Sequence, residues 1–179
     1  AAIILFTAGG AVPVPNASFE ENTGVGLPKD WGRFGGGDRT TLGVTTEKAH
    51  AGKFSIRMED RDPKQSVGLE GPLLPVNPGK TYRMSGWALV VEGGLALYLQ
   101  YFDAKGKRIE GAVKIASFPK KSDWASYGVS GPAPAEAIGC KLLFYSASAN
   151  QGLCYLDEVS FEEATADDAL AEGAPGVVL

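Results

Sequence analysis

Histidine and cysteine are almost missing from this 179-residue chain, which has one histidine, His50, and two cysteines, Cys140 and Cys154. The cysteines lack CxxC spacing, so neither a zinc cage nor a dithiol redox centre is available. They leave two readings open, one bridge or two small buried thiols. There is no GxSxG elbow, no HExxH pair and no activated-cysteine signature, and His50 lies in a turn-like HAG context. The acids Asp60 and Asp62 are too close in sequence to face each other across a cleft as a glycosidase pair would, and they read as a solvated loop. Nothing here supports an enzyme. Basic charge is short as well: 17 Lys and Arg against 21 Asp and Glu, interspersed, leave a net charge of -4 and no stripe to follow a phosphate backbone. Nucleic acid is therefore not expected as a partner. Long apolar runs are also lacking. The opening AAIILF is too short to span a bilayer and has no basic region before it, so it reads at most as the remnant of a signal peptide. No membrane span is expected, and the expected location is extracellular or at the cell surface.

What the chain has in quantity is punctuation. Its 24 glycines and 11 prolines separate short runs rich in Val, Leu, Tyr and Phe. Ten runs read as strands: residues 12–20, 40–48, 54–59, 67–76, 81–91, 95–102, 112–118, 124–130, 141–146 and 153–161. That many strands suit two packed sheets better than one open sheet. The expectation is an all-β, two-sheet antiparallel sandwich over residues 12–163. Residues 1–11 form an apolar lead, and residues 164–179 an acidic linker or docking tail with a possible short helix over 166–171. Turns are expected at Asn77-Pro78-Gly79, Glu92-Gly93-Gly94 and Asp103 to Gly106.

Period-two alternation assigns the faces. Tyr82, Met84, Gly86 and Ala88 share one side, as do Leu95, Leu97, Leu99 and Tyr101, and Leu142 and Phe144; these are the expected core. The opposite sides carry Arg83 and Trp87, Tyr98 and Gln100, and Lys141 and Tyr145. If these strands share a sheet, its outer face sets Trp87, Tyr98 and Tyr145 among Arg83 and Gln100. That combination suits a glycan, whose C–H face stacks on an aromatic ring while polar side chains bond its hydroxyls. Trp31, Trp124 and Tyr127 are expected to close the ends of the core.

The segments NASFEE, HAGKFSIRM, NPGKTYRMSGWALV, YFDAKGKRI, SDWASYGVSGPAPA and LCYLDEVSFEE occur in this order between about Val14 and Glu162. Together with Trp31, this series resembles the carbohydrate-binding modules of the galactose-binding-like jelly-roll group, families four, nine, sixteen and twenty-two. The resemblance implies a jelly-roll fold, a polysaccharide partner and a structural calcium ion. Carried over by position, the calcium ligands are the carboxylates of Glu20 and Asp157 and the backbone carbonyls near Ser18 and Lys53, an oxygen set of the kind calcium takes. Where xylan-binding members carry an exposed Trp and a strand Glu, this chain has Asp62-Pro63-Lys64-Gln65 and Ser146, so xylan specificity is not implied. The function expected first is non-catalytic glycan binding. The alternative is a structural subunit of a surface assembly, whose apolar ends, residues 2–6 and 177–179, add strands to neighbouring copies of itself.

Overall fold

The computed structural model describes residues 10–164, so the expectations for residues 2–6, for a helix over 166–171 and for residues 177–179 lie outside the described residues. Eleven strands follow one another along the chain: β1 (Gly32–Gly35), β2 (Thr40–Thr45), β3 (Ser55–Asp60), β4 (Val67–Glu70), β5 (Leu74–Pro75), β6 (Thr81–Glu92), β7 (Gly94–Phe102), β8 (Lys114–Pro119), β9 (Ala125–Pro132), β10 (Gly139–Ser146) and β11 (Gly152–Glu163). They form two antiparallel sheets. One has the order β1-β4-β10-β7-β8, with β5 also on β10, and the other the order β2-β3-β11-β6-β9. Among the described residues the only helical element is a single 3-10 turn, Glu110–Ala112.

Alternation drives the sheets together. Leu69, Leu97, Leu99, Tyr101, Leu142 and Phe144 of the six-stranded sheet meet Ile56, Met58, Tyr82, Met84, Leu156 and Phe161 of the other, and each is 2% exposed or less. Tyr101 spans the two layers, its hydroxyl donating to the Gly131 carbonyl at 2.6 Å. Burial pushes its phenol far above the usual range, so it stays a neutral donor. Asp60 is 1% exposed and accepts from Ser146 Oγ at 2.8 Å and from the Asp62 N–H at 2.9 Å. It closes one end of the sandwich as a buried cross-sheet acceptor, which corrects the reading of Asp60 as a solvated loop acid.

Three other expectations change. Residues 12–20 are turns rather than a strand, because Pro13 and Pro15 cannot donate to a ladder and Asn16 and Phe19 adopt φ of 49° and 58°. Pairing with the last strand is confined to isolated contacts: Ala11 bridges Glu162, Val12 N–H donates to the Phe161 carbonyl at 2.8 Å, and the Ala17 carbonyl accepts from the Val159 N–H at 2.9 Å. β1, with sequence GRFG, was missed because all four of its residues are exposed and it carries no alternation. The Glu92-Gly93-Gly94 turn does not close a pair. It carries the chain from one sheet to the other, and at Gly93, φ 68°, a Cβ would lie 2.5 Å from the Gln151 carbonyl oxygen. Cys140 and Cys154 are both buried free thiols on different sheets. Burial pushes Cys140 far above and Cys154 to about 12, out of the reach of thiolate chemistry at neutral pH.

Candidate functional site

The outer face of the six-stranded sheet carries a line of aromatic rings. Tyr145 of β10 stands between Phe34 of β1, at 5.9 Å, and Tyr98 of β7, at 5.2 Å, in edge-to-face contacts of 68° and 71°. Register explains the line. Phe34 and Tyr145 both pair with Gly68 of β4, and Leu143, next along β10, pairs with Tyr98. Gly68 is what permits the approach, since a Cβ there would lie 2.7 Å from Leu143 Cδ1. Leu143 points outward yet is 2% exposed, because it leans across that glycine beneath the rings. Beside Tyr145 the small residues Ala96 and Ser117 pair with each other, and an open hollow of about 260 Å³ lies over them, rimmed by Gly94, Phe118, Ala147 and Asn150. Asn150 is fixed as the rim by its bonds to both backbone groups of Gly94, at 2.9 Å each, and to Ser146 Oγ at 2.8 Å.

Polar groups occupy the other end of the same face. Lys141 pairs with Gln100, one step along from the Leu143–Tyr98 pair. Lys141 Nζ reaches Glu70 Oε2 at 3.0 Å, and Arg108 donates from Nη1 to Gln100 Oε1 at 3.0 Å. Burial raises the Tyr98 phenol, as does neighbouring Tyr145, while Arg108 opposes both. Tyr98 therefore sits between the aromatic line and the cations.

The expected face does not hold together. Tyr98, Gln100 and Tyr145 lie on the six-stranded sheet, whereas Arg83 and Trp87 belong to β6 of the five-stranded sheet, on the opposite side of the sandwich. Alternation within a strand gives the side of that strand but not the sheet it joins, and the turn at Gly93 moves the chain between layers. Trp87 is also covered. His50 stacks on it at 3.9 Å and 15°, Trp124 meets His50 edge-on at 5.6 Å, and the His50 ring pairs with Glu158. Trp31 and Tyr127 are buried as expected, but Trp124 packs outside the core in this cluster. The Arg83 guanidinium lies beside Gly128 of β9, where a Cβ would be 3.1 Å from Nε. Phe34 was missed because β1 was missed. Replacing Trp87 by alanine is now expected to leave glycan retention unchanged and to cost roughly 1–3 kcal/mol of stability through lost ring packing, which chemical denaturation checks.

Glu20 and Asp157 converge on one loop from two sides. Glu20 Oε1 accepts from the Lys53 and Phe54 N–H groups, both at 2.9 Å. Asp157, fully buried, accepts from the N–H groups of His50 at 2.9 Å, Ala51 at 3.1 Å and Glu158 at 2.9 Å. Burial raises the Asp157 carboxyl, with these three donors opposing. Phe19 and Glu158, next to the two acids in sequence, are both held at positive φ, 58° and 46°, an unfavourable conformation for side chains of this size. Hard carboxylate oxygens seated on residues 50–54 suit calcium in kind, and Glu20 Oε2 takes no part in the two bonds described. Among the described residues no group of three or more His, Cys, Asp or Glu side chains forms a metal cage. Any cation here would therefore need backbone carbonyls.

Residues 14–135 match the family model described as "Carbohydrate binding domain". Among solved structures, the CBM22-1 xylan-binding domain of Xyn10C from Paenibacillus barcinonensis is 18% identical, over 90% of this chain and 99% of that one, with a TM-score of 0.60. TmCBM61, solved with β-1,4-galactotriose, is 16% identical over 86% of this chain and 99% of that one, also at a TM-score of 0.60. The enzymatically active domain of tailspike protein 4 from bacteriophage CBA120 is 17% identical with a TM-score of 0.68, but the match covers 84% of this chain and only 21% of that one. At these identities the likenesses establish the sandwich fold. No curated protein matches the chain.

Proposed function

Since the chain belongs to the carbohydrate binding domain family, we propose that it holds a segment of polysaccharide, without cleaving it, across the outer face of its six-stranded sheet. The observation that carries this reading is the line of rings Phe34, Tyr145 and Tyr98, set side by side on an outer sheet face. Core packing does not require aromatic residues there, because the strands already bury their inward side. A pyranose stacks its C–H face on such a ring, and the hollow over Ala96 and Ser117 leaves room beside Tyr145 for an adjoining ring. Tyr98 and Tyr145 are the stacking residues, while Gln100, expected to bond hydroxyls, is only 2% exposed and instead supports Arg108 from beneath the face. The same ligand class favours a location outside the cell, and no helix among the described residues is long and apolar enough to cross a membrane.

Affinity electrophoresis through gels containing soluble polysaccharides tests the reading. At least one polymer is expected to retard the protein, while assays for new reducing ends stay blank. Free migration through every gel would rule out binding on this face, and released ends would rule out a purely binding role.

Calcium belongs to the same proposal. Glu20 and Asp157, with the carbonyls near Ser18 and Lys53, would hold the ion where residues 16–20, 50–54 and 157–158 meet. A bound ion supplies positive charge that offsets the burial of Asp157 and braces these turns. An ion that binds only the folded state stabilises it by roughly 2.7 kcal/mol at a hundred times its dissociation constant. Added calcium is therefore expected to raise the melting temperature and EGTA to lower it by several degrees. An identical melt with and without EGTA would remove calcium from the account.

A further inference from the structure

We infer that Asp60, which no ligand on the outer face can touch, is a positioning residue for that face and acts through Ser146 and Asn150 on the rim of the hollow beside Tyr145. The inference rests on the binding proposed above and adds to it a residue from the opposite sheet. Asp60 is the last residue of β3, in the five-stranded sheet, and is 1% exposed. A carboxylate is a costly way to close one end of a sandwich, since an apolar side chain fills the same space without giving up hydration. What the carboxylate supplies and an apolar group lacks is direction.

The hydrogen bonds run in one order from the interior to the surface. Ser146 Oγ donates to Asp60 Oδ2 at 2.8 Å, while Asp60 Oδ1 is held by the Asp62 N–H at 2.9 Å. A hydroxyl has one hydrogen, so with it committed to Asp60, Ser146 Oγ can only accept on its other side. Asn150 Nδ2 donates to it there, at 2.8 Å. That bond orients the amide, whose Nδ2 also reaches the Gly94 carbonyl and whose Oδ1 accepts the Gly94 N–H, both at 2.9 Å. Without Asp60 the hydroxyl is free to turn to its second acceptor, the Asn150 carbonyl at 3.3 Å, and the order is lost.

The far end of this relay lies where the strand ladder gives out. Pairing of β10 with β7 stops at Tyr145 and Ala96, with Tyr145 on the outer side of β10 and Ser146 buried on the inner side. Past that pair the Asn150 side chain bonds both backbone groups of Gly94, as another strand residue would. Gly94, Ala147 and Asn150 form the rim of the hollow next to Tyr145. Residues 147–149 are exposed, and the bond from the Asn150 N–H to the Ala147 carbonyl, at 2.8 Å, ties this turn only to itself. Asp60 therefore fastens to the five-stranded sheet a rim that the β10–β7 ladder does not reach. A rim locked from behind keeps its shape before the ligand arrives, so less ordering remains to be done on binding.

Affinity electrophoresis against concentration series of soluble xylan, β-glucan, galactan and galactomannan tests the inference, with urea unfolding of the same samples. Asp60→Ala, Ser146→Ala and the double variant are compared with Tyr82→Phe, which loses one hydrogen bond at the other end of β6. For the polymer that retards the wild type, each single variant is expected to bind about tenfold more weakly per folded molecule. The double variant is expected to bind no more weakly than either single one, because both substitutions cut the same relay. Tyr82→Phe should keep wild-type affinity, and hydrogen exchange should quicken at Gly94 and across 147–151 only in the relay variants. Should Asp60→Ala fail to fold, Ser146→Ala decides alone, since it leaves the carboxylate and its Asp62 bond in place. Wild-type affinity in the folded relay variants would overturn the positioning role and leave Asp60 a plug, with binding on the face intact. Additive losses in the double variant would overturn the route through Ser146. Retardation of the wild type by none of the four polymers would defeat the binding face, and the inference with it.

Discussion

Replacing Tyr145 by alanine is expected to weaken binding of the retained polysaccharide about 30-fold, the equivalent of about 2 kcal/mol at a central aromatic contact. Tyr145 is the middle ring of the line, in edge contact with Phe34 on one side and Tyr98 on the other, and it borders the hollow over Ala96 and Ser117. Its removal deletes one stacking surface and leaves the other two rings without lateral support. The side chain stands on the outer face and is only partly buried, so the fold should survive. Calorimetric titration alongside a thermal melt separates the outcomes. Affinity within threefold of the wild type in a folded variant would show that the glycan does not lie on this face.

Tyr82→Ala is expected to have the largest effect on stability, a loss of about 3–5 kcal/mol, and with it a fall in melting temperature on the order of 10 °C for a domain of this size. Tyr82 is 1% exposed and stacks on Phe161 at 5.2 Å and 15°. Its hydroxyl accepts the Asn77 N–H at 2.8 Å, tying the turn before β6 to the core. Tyr82→Phe keeps the ring and loses only that bond, so it should cost about 1 kcal/mol. Equilibrium unfolding in urea measures both. A cost for the alanine variant below 1 kcal/mol would contradict the packing described. Ligand affinity per folded molecule should be the same in both variants, in contrast to Tyr145→Ala.

The inward set was legible because a strand has a period of two and one of its faces must be dry. Leu95, Leu97, Leu99 and Tyr101, or Tyr82, Met84 and Ala88, announce their burial by spacing alone. β1 gave no such signal. Its four residues are exposed and two are glycines, so Phe34 entered the candidate site only once pairing with β4 was seen. Residues 12–20 misled for a related reason: Val12 and Phe19 are buried, as strand residues would be, but Phe19 is carried inward by a bend at positive φ and Val12 by a single bond to the Phe161 carbonyl.

The sequence by itself determined the all-β class, the two-layer sandwich, most of the strands and the inward faces of β6, β7 and β10, because these follow from local alternation and from where glycine and proline interrupt it. It also placed Glu20 and Asp157 among the residues worth watching, through resemblance rather than spacing. Only the tertiary structure decided which outward faces belong together. Trp87 and Tyr98 are eleven residues apart and separated by one short turn, yet that turn crosses from one sheet to the other. One ring is stacked beneath His50 on the far side, and the other joins Phe34 and Tyr145, residues distant in sequence. Strand order is set by long-range pairing, chosen by the packing of the whole core, and no local pattern carries it.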